Sequence, residues 1–160
     1  MDEVDKILDQ WRQARPDLDV SAMGPIGRLS RVFHRNARLM GETFAKFGLN
    51  AAGFDVLATL RRSPSPHALS PGELMASMMI TSGTMTNRID QLVKAGLVKR
   101  STDPKDARRA VIKLTTKGYE LIDKAVAEHA KTQTSLMATL SQDDIDELDQ
   151  LLRKLLKTTE

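Results

Sequence analysis

Residues 97–115 constrain the fold more than any other stretch. Two β-capable runs, LVKRST and AVIKLT, are joined there by the charged connector DPKDARR, which reads as a strand–loop–strand with a charged tip. Elsewhere the periodic segments repeat their apolar residues every three and four positions, the spacing of helices. Val4, Ile7, Leu8 and Trp11 predict a short helix over 3–14, stopped by Arg15-Pro16, with Pro16-Asp17-Leu18-Asp19 as connector. Ile26, Leu29, Phe33, Ala37, Met40 and Phe44 predict a long helix over 24–47, ended by Gly48, while Arg28, Arg31, Arg35 and Arg38 fall elsewhere on its surface.

The signals before the hairpin are punctuated sharply. Asn50 caps AAGFDVLATLRR, which runs to about Arg62, and Ser63-Pro64-Ser65-Pro66 breaks the chain. Ser70, Pro71 and Glu73 then form a capping box with proline at the first helical position, opening PGELMASMM. Thr81 or Ser82 caps SGTMTNRIDQLVKAG, whose apolar positions are Met85, Ile89, Leu92 and Val93, and Gly96 closes it. After the hairpin, Tyr119, Leu121, Ile122, Ala125, Val126 and His129 mark a helix running toward Leu140. Ser141-Gln142-Asp143-Asp144 caps the last helix, with Ile145, Leu148, Leu151, Leu152 and Leu155 on one face. The expected fold is mainly α with a small β-hairpin wing: a winged helix-turn-helix. Its flanking helices carry apolar stripes that one small domain cannot cover, and they are expected to form a dimerisation layer.

Composition excludes several function classes. The 160 residues suffice for one domain with extensions; 41% are apolar and 28% charged, which is ordinary for a globular protein. Cysteine is absent, which removes disulfides, thiolate metal sites and thiol nucleophiles. No apolar run approaches the ~20 residues of a membrane span, and MDEVDKILDQWRQ lacks the pattern of a signal peptide, so a cytoplasmic protein is expected. The net charge of +3 is unevenly placed: residues 88–117 carry +6, residues 1–87 carry +1 and residues 118–160 carry −4. A basic centre is the footprint of a polyanion contact, or of a solvated charged hairpin.

The segment ALSPGELMASMMITSGTMTNRIDQLVKAGLVKRSTDPKDARRAVIKLTTKGYELI resembles the DNA-binding core of MarR-type transcription regulators. The likeness rests on T-N-R-I-D-x-L-x-x-x-G-L-V-x-R, then D-P-x-D-x-R, then V-x-L-T-x-x-G. Trp11, RPDLDVSAMGPIGRL and FDVLATLRRSPSPHALSPGEL further resemble the PecS and urate-responsive branch of that family, which carries an extra N-terminal helix. The resemblance implies residues 1–48 as N-terminal helices for ligand and dimer contacts, 49–117 as the winged helix-turn-helix, and 118–160 as C-terminal dimerisation helices. It implies a homodimer on double-stranded DNA with a pseudo-palindromic operator, in most cases a repressor, released by a small planar effector such as urate or a related purine.

The residues can be weighed physically beside that likeness. Ser82, Thr84, Thr86 and Asn87 lie in the N-terminal half of the recognition segment, where side chains reach base edges in the major groove. Ser82 serves equally well as a cap. Lys105, Arg108 and Arg109 at the hairpin tip suit a narrow minor groove, with Asp106 placed to hold Arg108; a solvated turn is the plainer reading. Ala107 stands where relatives often carry Arg. Lys94, Lys99, Lys113 and Lys117 suit phosphates or solvent.

By periodicity alone Asp55, Thr59 and Arg62 share a solvated face. The resemblance instead implies a ligand set of Trp11, Asp55, Arg88 and Arg100, with Arg88 linking ligand to the DNA-reading helix. A planar anion suits an indole face and guanidinium forks. His34, His67 and His129 are scattered without metal or triad spacing, and the methionines suit core filling. No cofactor or metal is expected, and no nucleophile–base set points to an enzyme. A sequence-neutral architectural DNA protein is the alternative, as is a MarR-type regulator of a different aromatic ligand.

Overall fold

The computed structural model describes residues 1–78, 85–103, 106 and 109–157. In chain order the elements are α1 (Glu3–Ala14), α2 (Met23–Ala45), α3 (Ala51–Arg62), β1 (Ala68–Leu69), α4 (Pro71–Ser77), α5 (Met85–Lys94), β2 (Val98–Thr102), β3 (Ala110–Leu114), α6 (Thr116–Met137) and α7 (Gln142–Leu156). The mainly helical winged-helix fold expected from the sequence is the one observed. The chain divides into two compact units, Met1–Leu39 and Met40–Glu160, so the boundary falls within α2.

In the first unit α1 lies against the start of α2, with Val4, Leu8 and Val20 as its small core. Glycines on α2 permit this packing. A methyl on Gly27 would stand 3.4 Å from Val4, and one on Gly24 would stand 3.3 Å from Leu8. An ionic clasp adds to it. Arg28 donates through Nε to Asp2 at 2.8 Å, and through Nη2 to both Asp2 and Asp5. Asp2 is also the N-cap of α1, accepting from the Val4 and Asp5 amides. The Arg28 guanidinium, followed by the Asp5 amide, pulls the Asp2 carboxyl down to about 2.

The second unit holds the main core. Val56, Leu57 and Leu60 of α3, Leu74 of α4, Ile89 and Leu92 of α5, Ile112 and Leu114 of β3 and Ile122 of α6 pack together. Stacked Phe44 and Phe54 rings, 4.2 Å apart, meet the His129 ring at 5.2 and 4.9 Å, and burial holds that imidazole below its ordinary value. Arg61 closes α3 onto α6, lying 4.4 Å over the Tyr119 ring and 2.6 Å from Asp123.

The caps follow their sequence signals. Asn50, Ser70 and Ser141 occupy their predicted N-cap positions, and Pro71 opens α4 within a complete Ser70–Glu73 capping box. Gly48 and Gly96 take positive φ at the exits of α2 and α5, where the next amides bond back into the last turns. Four expectations are corrected. The sheet has three antiparallel strands in the order β1–β3–β2, because Ala68 and Leu69 pair with Lys113 and Ile112, whereas the sequence reading gave a two-stranded hairpin. A two-residue strand is too short to show alternation. Helix α2 ends at Ala45 instead of 47, and α4 at Ser77 with Met78 as its extended C-cap. Val93, read as part of the inner face of α5, is exposed; Ile89 and Leu92 alone are buried there. The predicted Thr81 or Ser82 cap lies outside the described residues.

Among the described residues, two apolar faces are exposed within the chain. Helix α7 buries no residue, and Leu148, Leu151, Leu155 and Leu156 are exposed. On α2, Ile26, Leu29, Val32 and Phe33 are exposed as well.

The Asp2–Arg28 clasp has a defined acid limit. The folded carboxyl titrates at about 2, below the ~3.9 of an unfolded chain. Its stabilisation is therefore full above pH ~4 and is lost as pH falls through about 2. Trp11 on α1 should report this loss of α1 docking in an acid fluorescence titration. Asp2→Asn, which keeps a good N-cap but removes the charge, should reduce that transition to the part contributed by the remaining Asp5–Arg28 pair.

Candidate nucleic-acid interface

Helix α5 is the centre of the site. Its inner face is anchored by Ile89 and Leu92, and Thr86 and Asn87 stand exposed on the outer side. Exposed hydroxyl and amide groups at the start of an amphipathic helix are donors and acceptors suited to base edges. Arg88, half-buried between these faces, lines a cleft of about 120 Å³ with Gly48, Asn50, Gly53 and Gln91. That volume is well below the ~300–1,000 Å³ of a formed ligand pocket. Asp55 is not among its lining residues. Ser82 and Thr84 lie outside the described residues.

The buried state of α3 overturns one reading. Asp55 is 6% exposed and Thr59 1%, so these two do not share a solvated face with the exposed Arg62. A carboxylate at that depth is costly in an apolar setting unless its surroundings compensate it.

Arg100 lies on β2 and donates through Nη2 to Asp90 of α5 at 2.6 Å. This ion pair ties the wing strand to the recognition helix. Asp90 belongs to the T-N-R-I-D motif, but sequence reasoning assigned it no role, because the ten-residue spacing across a helix end and a strand has no local signature. Trp11 lies on α1 in the first unit and is 41% exposed, while Asp55, Arg88 and Arg100 all belong to the second unit.

At the wing, Arg109 closes the turn. Its amide donates to the Asp106 carbonyl at 2.9 Å, and its carbonyl accepts from the Asp103 amide at 2.8 Å. Its guanidinium is exposed and reaches Glu73 of α4 at 3.4 Å. The Glu73 carboxyl is held below its ordinary value chiefly by the Ser70 bonds and further by Arg109. Lys105 and Arg108 lie outside the described residues. Lys94, Lys99 and Lys117 are exposed around this surface, and Lys99 stands directly across from Lys113 in the β2–β3 ladder. Like charges opposite one another destabilise a sheet in isolation, and a polyanion relieves them.

Among the described residues, no three His, Asp or Glu side chains converge as a metal site, and no helix is long and apolar enough to cross a membrane.

Comparison with known proteins gives this geometry a context. The model of the family described as MarR family matches residues 49–110. The chain is 40% identical to the HTH-type transcriptional regulator PecS of Dickeya dadantii, across 97% of this chain and 93% of that protein. Among solved structures it is similar to a cysteine-to-serine variant of MarR from Escherichia coli complexed with operator DNA. The identity is 29%, the TM-score 0.71, and the match covers 86% of this chain and 97% of that one. It is also similar to Bordetella bronchiseptica BpsR, whose structure concerns regulation of DNA binding by 6-hydroxynicotinic acid. Here the identity is 27%, the TM-score 0.69, and the cover 81% of this chain and 90% of that one.

Proposed function

The chain belongs to the MarR family and is a DNA-binding transcription regulator, not an enzyme; from that premise we propose that it acts as a cytoplasmic homodimeric repressor of a pseudo-palindromic operator, released by a small planar anion. The observation that carries the DNA reading is the anchoring of α5 by Ile89 and Leu92 with Thr86 and Asn87 turned outward. In this reading Ser82, Thr84, Thr86 and Asn87 meet the major groove, and Lys105, Arg108 and Arg109 meet the minor groove and its phosphates. The MarR–operator complex supports it as the example of a relative on DNA.

The dimer reading is supported by the uncovered apolar faces of α2 and α7, which a second copy would remove from water. Two recognition helices would then face half-sites roughly 34 Å apart. Sedimentation at micromolar concentration is expected to give a dimer. A monomer that still binds a palindrome tightly overturns this part.

For DNA, Arg108→Ala is expected to weaken operator binding and flatten its salt dependence by about one unit of slope. Thr86→Ala and Asn87→Ala should instead change which bases are preferred. Binding titrations over a salt series, run on operator and base-substituted duplexes, separate the two effects. An unchanged slope with Arg108→Ala removes the wing from the DNA contact.

The effector reading assigns Trp11, Asp55, Arg88 and Arg100 to a urate-type ligand. A guanidinium on the recognition helix and another on the wing strand support an anion whose arrival alters both DNA-facing elements, and buried Asp55 is the carboxylate whose balance such an anion would disturb. The Asp90–Arg100 pair gives this a concrete form, since an anion taken up by Arg100 competes with Asp90. BpsR, regulated by an aromatic carboxylic acid, supports the planar class and keeps a different aromatic ligand as the second reading. Urate is expected to quench Trp11 and release operator. Asp55→Asn should impair that release more than DNA binding itself. If millimolar urate does neither while an aromatic acid does both, the second reading replaces the first.

A further inference from the structure

The exit of the recognition helix is held by backbone acceptors that its own helix cannot satisfy. Gly96 takes φ +71°, its amide bonds to the Val93 carbonyl at 2.9 Å, and the Leu97 amide bonds to the Leu92 carbonyl at 2.9 Å. That turn spends the donors and leaves the carbonyls of Ala95, Gly96 and Leu97 pointing onward. All three are taken by residues at the start of α6. The Thr115 hydroxyl donates to the Gly96 carbonyl at 2.7 Å, with the Leu97 carbonyl also within 3.1 Å. The Thr115 amide donates to the Leu97 carbonyl at 3.1 Å, and Lys117 Nζ donates to the Ala95 carbonyl at 3.0 Å. The same hydroxyl accepts from the Gly118 amide at 3.0 Å, so it is both the N-cap of α6 and the tie to α5.

We propose that Thr115, with Lys117, is a positioning residue for DNA reading: the start of α6 clamps three successive carbonyls at the exit of α5 and so sets the angle at which Thr86 and Asn87 are presented. The proposal rests on the reading of α5 as the DNA-contacting helix, and it adds a role for a residue far from the reading face. Hydrogen bonds to the exit of a ten-residue helix restrain its pitch, adding to the Ile89 and Leu92 anchor, which acts on one face, and to the exposed Asp90–Arg100 pair. Gly118 makes the clamp close. A methyl there would stand 1.9 Å from the Leu97 carbonyl oxygen, so α6 meets this turn backbone to backbone and the tie has no slack.

The test uses full-length chain and the duplex that the wild-type protein enriches from a random-sequence library, with a scrambled duplex of equal composition as control. Thr115→Val keeps the shape and removes the hydroxyl; Thr115→Ser restores it. Lys117→Met removes the tie to Ala95 together with one exposed cation, and loss of the cation acts on both duplexes alike. Thr115→Val is expected to lower the ratio of specific to scrambled binding roughly tenfold, with Thr115→Ser near wild type and Lys117→Met intermediate. Loss of a phosphate contact alone would weaken both duplexes together and leave the ratio unchanged.

If folded Thr115→Val has a lower melting temperature but an unchanged ratio, Thr115 is only a cap and the proposal is overturned. If Thr115→Val does not fold, an unchanged ratio in Lys117→Met overturns it. If the wild-type chain enriches no sequence, the DNA reading itself has failed and the proposal falls with it.

Discussion

The backbone crossing between Gly118 and Leu97 is the contact on which the rest of the second unit depends. The first turn of α6, the exit of α5 and the entry to β2 converge there, with no room for even one methyl group between them. Such an approach is available only to glycine. It explains why a T-x-x-G run closes the wing: threonine caps the helix and ties the recognition helix, and glycine lets them touch. Next to that crossing the β2–β3 register places Val98 opposite Leu114 and Arg100 opposite Ile112. Arg100 is thereby brought within 2.6 Å of Asp90 on the helix.

The surface around α5 is thus an assembly held by a few polar ties over an apolar anchor. Ile89 and Leu92 supply the affinity of α5 for the core, in the ordinary currency of buried apolar area. The polar ties supply orientation, which a smooth apolar contact does not. Half-exposed pairs such as Asp90–Arg100 contribute little to stability, of order 0–1 kcal/mol, and can be exchanged for another anion at small cost. Asp55 is the opposite case: a carboxylate at 6% exposure is costly to leave without compensation and so resists change unless its surroundings change with it.

The chain ends follow a different logic. Helix α7 has a strongly amphipathic sequence yet buries nothing, and the first half of α2 exposes Ile26, Leu29 and Phe33. Open apolar faces of this kind are surface that association removes from water. In the first unit, a core of only Val4, Leu8 and Val20 is supplemented by the Asp2–Asp5–Arg28 clasp. Small apolar cores need such supplements because little surface can be buried.

Local chemistry made much of this legible in advance. Asn50, Ser70 and Ser141 are caps because their side chains satisfy orphan amides one turn on, and Gly48 and Gly96 end helices because they tolerate positive φ; neither property requires knowledge of the fold. The winged-helix order, the amphipathic faces and the candidate reading residues Thr86 and Asn87 follow from the same short-range rules. What tertiary structure decided are the relations between segments distant in sequence. Ala68 and Leu69 become a strand only because β3 offers an edge, and Asp55 is buried although its own helix would equally allow exposure. Asp90 meets Arg100, Arg109 reaches Glu73, and Thr115 holds Gly96 because the backbone crosses itself at Gly118. Periodicity and capping act within one turn of helix or one pleat of strand, so sequence alone determines where the capped helices begin and their amphipathic pattern; which residues lie at depth, as with Asp55 and Val93, and the partners of the polar side chains are settled only when the elements meet.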